Sequence, residues 1–240
     1  MIFDGHSDIF SDVRYKREAG ETQVLKNHHL DRLRKGGIGG ACFVIWADTY
    51  NGHAPKDEME AIVKGIKGEM AETKEFVLIH NVEELKAAEA AGKFAILLGI
   101  EGLAGIGEDL SKIDELYDLG ARHAMLTWNE ENALATGVKG DPNRGVTELG
   151  KQAIKKLQEK KMILDVSHIN EKSFWDVIDL ATGPILASHS NAKALASAAR
   201  NLTDDQLRAI RDTNGLVGLN AFGDFISDNK AEQDVDHLVN

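Results

Sequence analysis

Short apolar runs alternate with charged, helix-spaced stretches along the whole chain. The runs lie near residues 2–8, 38–47, 94–101, 123–128, 162–168, 184–189 and 215–222, with a further short one at Phe76-Val77-Leu78-Ile79. Runs of this length, bounded by Gly and polar residues, read as buried strands. The stretches between them carry apolar residues at helical intervals, most clearly Leu149, Ala153, Ile154 and Leu157. Other helices are expected at about 57–73, 82–91, 109–118, 171–181 and 203–213. The last opens with Thr203-Asp204-Asp205-Gln206, a capping-box pattern.

Strand–helix alternation predicts a parallel sheet flanked by helices, and near-continuous apolar strands predict that both sheet faces are covered. An open doubly wound sheet and a closed barrel both satisfy this. An open sheet gathers its site at one switch point served by few strands. Here ligand-type residues end at least four strands spread over the chain, an arrangement better served by the C-terminal ring of a TIM-type (β/α)8 barrel. Seven strand–helix units are visible, and a complete barrel runs to about 250 residues. The expectation is therefore one barrel domain over 1–240, with the eighth unit missing at the C-terminus. Residues 130–145, with Gly137, Gly140, Asp141-Pro142 and Gly145, read as a long loop on the active-site face.

Composition narrows the partners. The formal charge of −11 argues against nucleic acid, which needs a basic face. The one cysteine, Cys42, lies within Ala41-Cys42-Phe43-Val44-Ile45-Trp46, so a buried structural thiol in a reducing cytoplasm is expected rather than a disulfide or a nucleophile. No apolar run reaches the roughly 18 residues of a membrane span. A strand starting at Ile2 leaves no room for a signal peptide.

Five residues end apolar runs: His6, Asp8, Glu101, His168 and His189. His6 and Asp8 are two apart and so project to the same side of an extended chain; a plain structural hydrogen bond between them is the alternative. Glu101 follows an aliphatic strand directly, where a buried carboxylate needs a metal, a cation or water; the alternative is a strand-end Glu turned to solvent. His168 and His189 each follow a Ser at equivalent strand ends, although a lone strand-end His is more often an ordinary hydrogen-bonding residue. Three imidazoles and two carboxylates exceed the needs of one four-coordinate zinc and, if Glu101 bridges, suit two metals sharing a hydroxide.

At this set the sequence resembles the membrane dipeptidase family of zinc peptidases, within the amidohydrolase-like metal-dependent barrels. The matching motifs are Asp4-Gly5-His6-Ser7-Asp8, Gly99-Ile100-Glu101-Gly102, Asp165-Val166-Ser167-His168, Ser188-His189-Ser190-Asn191 and Ala199-Arg200-Asn201-Leu202-Thr203-Asp204. Their order and spacing span essentially the whole chain. The resemblance implies a binuclear Zn²⁺ site in which His6 and Asp8 bind one ion, Glu101 bridges, and His168 and His189 bind the other. It implies hydrolysis of dipeptides by a metal-bridging hydroxide, with Arg200 holding the substrate's terminal carboxylate; on sequence alone Arg200 also reads as a solvated arginine before a helix cap. Two departures stand out. Trp128, in Met125-Leu126-Thr127-Trp128-Asn129, fills a substrate-facing position where family members often carry His. The family's catalytic acid/base Asp, usually in Gly-Ser-Asp-Phe-Asp-Gly, has no matching motif, and Gly223-Asp224-Phe225 is a poor substitute. His123 sits at the wrong end of its strand to replace the missing His, and His28, His29, His53, His80 and His237 match no site motif. Another amidohydrolase, acting on a lactone, cyclic amide or acyl-amino acid, stays open, as does a non-catalytic metal- or small-molecule-binding protein. The expected picture is a cytoplasmic enzyme of small substrates, with no nucleic-acid or membrane partner and a homodimer left open.

Overall fold

The computed structural model describes residues 1–47 and 52–239; Asn240, which the sequence reading includes in its single domain, lies outside them. The chain divides into two compact units, Met1–Ala124 and the part from Met125 onward.

The first unit is built on a parallel sheet of order β1-β2-β4-β3, with β1 at Ile2–Ser7, β2 at Ile38–Trp46, β3 at Phe76–Leu78 and β4 at Phe94–Glu101. Parallel pairing runs β2 against β4 from Gly40 opposite Ala95 to Trp46 opposite Glu101. Residues 40–45 are buried without alternation, as expected of a strand covered on both faces. Phe10 of α1 (Ile9–Glu18) packs edge-on against Phe43, and Phe43 stacks on Phe94. The long helix α3 (Pro55–Glu72) buries Ile62 and Ile66 and places Glu69 deep in the unit. Glu69 accepts from Leu25 N, Thr73 Oγ1 and the Arg17 guanidinium, so this buried charge is satisfied several times over. It thereby ties α1 and the six-residue π-helical turn Leu25–Leu30 to α3. A short helix, α2 (Asp31–Lys35), follows that turn, α4 (Val82–Ala90) precedes β4, and α5 (Lys112–Leu119) follows it.

The second sheet has the order β5-β6-β7-β8, with β5 at His123–Met125, β6 at Ile163–Asp165, β7 at Ile185–Ala187 and β8 at Leu216–Val217, and β7 pairs in parallel with both β6 and β8. Helices α6 (Glu148–Glu159), α7 (Glu171–Leu180) and α8 (Asp204–Asp212) bury Ala153, Ile154, Leu157, Phe174, Val177 and Ile210. The capping box is present: Thr203 Oγ1 accepts from Gln206 N, and the Gln206 side chain accepts from Thr203 N.

Two differences from the sequence reading have simple causes. The described residues hold eight strands, because the short run at 76–79 forms β3 on the edge of β4, opposite Phe94–Ile96. Strands β5 to β8 are also shorter than their apolar runs. The residues after them turn to side-chain and loop hydrogen bonds, as where Ser188 N donates to Asp165 Oδ2 at 3.2 Å.

Candidate metal centre

In the first unit, β1 delivers His6, and Asp8 follows at the N-cap of α1. An Asp there normally caps the helix with its side chain, but Asp8 makes no such bond and its carboxylate stays 54% exposed. It faces His6 instead, with Oδ1 3.7 Å from His6 Nε2. Glu101, at the C-terminal end of β4, is only 4% exposed and brings Oε2 to 3.3 Å from the same nitrogen. The expectation that Glu101 is not a solvent-facing strand end is met. Burial acts against a charge on His6, but the hydrogen bonds and charges of Asp8 and Glu101 outweigh it and push the imidazole up to about 10. Two carboxylates converging on one buried ring create a demand for positive charge that a divalent ion would meet.

In the second unit, β6 and β7 end side by side and present His168 and His189. Their Nε2 atoms lie 2.8 Å apart. His168 Nδ1 faces Asn129 Oδ1 at 2.9 Å, and His189 Nδ1 faces Ser188 Oγ at 2.8 Å. Imidazoles whose outer nitrogens are held by oxygens and whose inner nitrogens converge are oriented as ligands of one ion. Asp165, buried at the end of β6, accepts amide hydrogens from Ser167 and Ser188, and Ser167 Oγ accepts from His189 N. These bonds lock the two strand ends together. His168 itself has φ of 75°, an uncommon conformation for a residue other than Gly. Its carbonyl accepts from Val138 N at 2.9 Å, which helps to hold that geometry.

Arg200 is 8% exposed, so the solvated alternative is corrected. Its guanidinium donates to Ser190 Oγ and His189 O, both at 3.3 Å, and lies over the Phe225 ring. Asn191 and Asn201 fasten the same corner by donating to Phe225 O. Trp128 is half-buried, its ring centroid 6.0 Å from that of His168, and the Lys139 ammonium lies 5.6 Å from the same ring's centroid. Asp224 is exposed and bonded to Lys230 and Gln233, which hold its carboxyl below the usual range.

His28, His29, His80 and His237 each pair with a nearby carboxylate, of Glu21, Asp12, Glu84 and Asp234. His123 is fully buried beside Gly99, where a Cβ would come within 2.6 Å of His123 Nδ1 and 2.8 Å of Cys42 Sγ. Cys42 is a buried free thiol, as expected. Sequence reasoning assigned no role to Asn129 or to Asp165 as a clasp. The one available signal was their adjacency to the Leu-Thr-Trp and Ser-His motifs.

A family model described as membrane dipeptidase (peptidase family M19) matches residues 1–239. An uncharacterized protein in the PQQ-III 3′ region of Acinetobacter calcoaceticus is 31% identical over 91% of this chain and 79% of its own length. A protein in the pqqA 5′ region of Klebsiella pneumoniae is 40% identical, covering 67% of this chain and 64% of its own. Among solved structures, a metallopeptidase of Rhodobacter sphaeroides, liganded with a phosphinate mimic of the dipeptide L-Ala-D-Ala, superposes with a TM-score of 0.86. That match covers 99% of this chain and 81% of the other, at 26% identity. The expected fold class, α/β of the TIM-barrel type, follows from this match. With the family model matched over residues 1–239, the chain belongs to the membrane dipeptidase family, peptidase family M19.

Proposed function

We propose that this protein is a metal-dependent dipeptidase whose centre holds two Zn²⁺ ions. The observation that carries the reading is the His168/His189 pair, with Nε2 atoms 2.8 Å apart and both outer nitrogens engaged by oxygens. Asn129 Oδ1 can only accept, so a neutral His168 would carry its proton on Nδ1 and turn a lone pair toward His189. A metal ion would replace the single proton the two inner nitrogens can share. The carboxylates around His6 support the same reading from the first unit, since the site chemistry calls for a cation there too.

His6 and Asp8 would hold one ion, Glu101 would bridge, and His168 and His189 would hold the other. When bound, the metals would supply a water of lowered pKa and stabilise negative charge developing on the peptide oxygen. The chain's own residues would then place the substrate. The Arg200 guanidinium, buried and fixed by Ser190 and His189 O, is suited to fork onto a terminal carboxylate and so to favour short peptides. Trp128 would wall the site beside His168 and keep water from its ring face. The solved relative that carries a phosphinate dipeptide mimic supports small peptides as the substrate class. The family match runs from residue 1 to 239, which supports a single hydrolase domain. No family-type acid/base Asp motif occurs in the 240 residues, so turnover should be slow relative to metal binding.

The test is hydrolysis of a dipeptide panel by zinc-loaded protein, with Glu101→Ala and His168→Ala beside it. Slow, chelator-sensitive cleavage that both substitutions abolish is expected. Strong cleavage surviving both substitutions and chelation would reject the reading.

A further inference from the structure

The loop between β5 and α6 is organised around one contact with the metal-ligand histidines. Asn129 Oδ1 meets His168 Nδ1 at 2.9 Å, and the loop then folds back to hold both partners. Lys139 N donates to Asn129 O at 2.7 Å, while Val138 N donates to His168 O at 2.9 Å. Between them, Gly137 N donates to Glu130 O, and Gly137 bridges Ile169, the residue after His168. Gly137 is pressed so closely to the chain that a Cβ there would lie 2.5 Å from Asn129 O and would also overlap Trp128 O. Arg144 stitches the loop from within by donating to Ala135 O, Thr136 Oγ1 and Asn132 O.

We propose that Asn129 is a positioning residue for the metal centre, holding His168 as the Nδ1–H tautomer so that its Nε2 lone pair is presented to the ion, and that Gly137 keeps Asn129 in place. The inference rests on the metal reading above. It adds a residue that touches neither ion nor substrate. An imidazole free to rotate or to switch tautomer presents a lone pair only part of the time. Partners on the outer nitrogen remove that loss and typically contribute 10- to 100-fold in metal affinity. An Asp in place of Asn would keep the acceptor and add charge that raises ring basicity, whereas Leu would keep the volume and remove the acceptor.

The test is a Zn²⁺ titration of the whole chain against a competing chelator dye, for wild type, Asn129→Leu, Asn129→Asp and Gly137→Ala. It is joined by ¹⁵N NMR of the histidine rings in metal-free wild type. Expected are an Nδ1–H signature for His168 and a zinc affinity lowered about 10- to 100-fold in Asn129→Leu. Asn129→Asp should bind as tightly as wild type or tighter, and Gly137→Ala should weaken binding in the direction of Asn129→Leu. Zinc affinity of Asn129→Leu within about twofold of wild type would overturn the proposal, since the expected loss is at least about tenfold. So would an Asn129→Asp protein as weak as the Leu variant, or a His168 ring protonated on Nε2 in the free protein. If wild type binds no zinc, the metal reading fails and the positioning role falls with it. If wild type binds zinc and Asn129→Leu binds it within about twofold as tightly, only the positioning role fails.

Discussion

At the ends of β6 and β7, Asp165 accepts amide hydrogens from Ser167 and Ser188, and so sets the spacing of the two residues that follow, His168 and His189. Asp165→Ala would leave those buried amides without acceptors, at about 1–3 kcal/mol each before relaxation. A loss of about 2–4 kcal/mol in urea unfolding is therefore expected, with weaker zinc binding beside it; a loss under about 0.5 kcal/mol would show that the clasp is not needed. A second residue-scale prediction concerns pH. Arg17, together with the amide of Gln23, holds Glu72 down to about 2 from an ordinary 4.5. A depressed carboxyl stabilises the fold fully above its unfolded value and loses that contribution as pH falls toward the folded one. The melting-temperature gap between wild type and Glu72→Gln should therefore be full above about pH 4.5 and should close toward about pH 2. A gap that is flat or widens on acidification would contradict this. The five candidate ligand residues were legible in the sequence because each ends an apolar run. The roles of Asp165 and Asn129 were not, because Ser188 and His168 lie 23 and 39 residues away and adjacency to the strand-end motifs does not reveal those bonds.

Helix α6 shows how far periodicity reaches and where it stops. Its apolar spacing and the Thr147 cap, whose hydroxyl accepts from Gly150 N, are readable directly from the chain. What is not readable is why Gly150 stands inside it. A Cβ there would overlap Leu134 O, so the helix lies directly against the loop backbone. In an open helix Gly→Ala gains about 1 kcal/mol; here Gly150→Ala should destabilise by about 1–3 kcal/mol through overpacking. Chemical denaturation reads the sign directly, and a stabilised variant would refute the close contact. The same limit explains the strands. Apolar runs marked where β5 to β8 lie, but strand length depends on neighbours, and only Leu216–Val217 of the run at 215–222 pairs with β7. The π-helical turn at Leu25–Leu30 went unforeseen because its anchor, the buried Glu69 carboxylate, lies 44 residues away from Leu25.

For the whole molecule, two four-stranded sheets among the described residues, a family match over residues 1–239 and ligand-type residues at strand ends converge on a metallopeptidase of the M19 type. No described helix is long and apolar enough to cross a membrane. Because an ion bound only by the folded state stabilises it by mass action, zinc at 100 times its Kd should add about 2.7 kcal/mol and raise the melting temperature, and a chelator should reverse the rise. The most direct test of the central claim is the metal content of the purified protein, measured by elemental mass spectrometry after zinc loading and desalting, for wild type and Glu101→Ala. About two zinc ions per chain are expected in wild type, as for a binuclear site, with the content clearly reduced once the bridging carboxylate is gone. A wild-type chain that retains no metal, or a Glu101→Ala chain that retains as much as wild type, would contradict a binuclear centre built on Glu101.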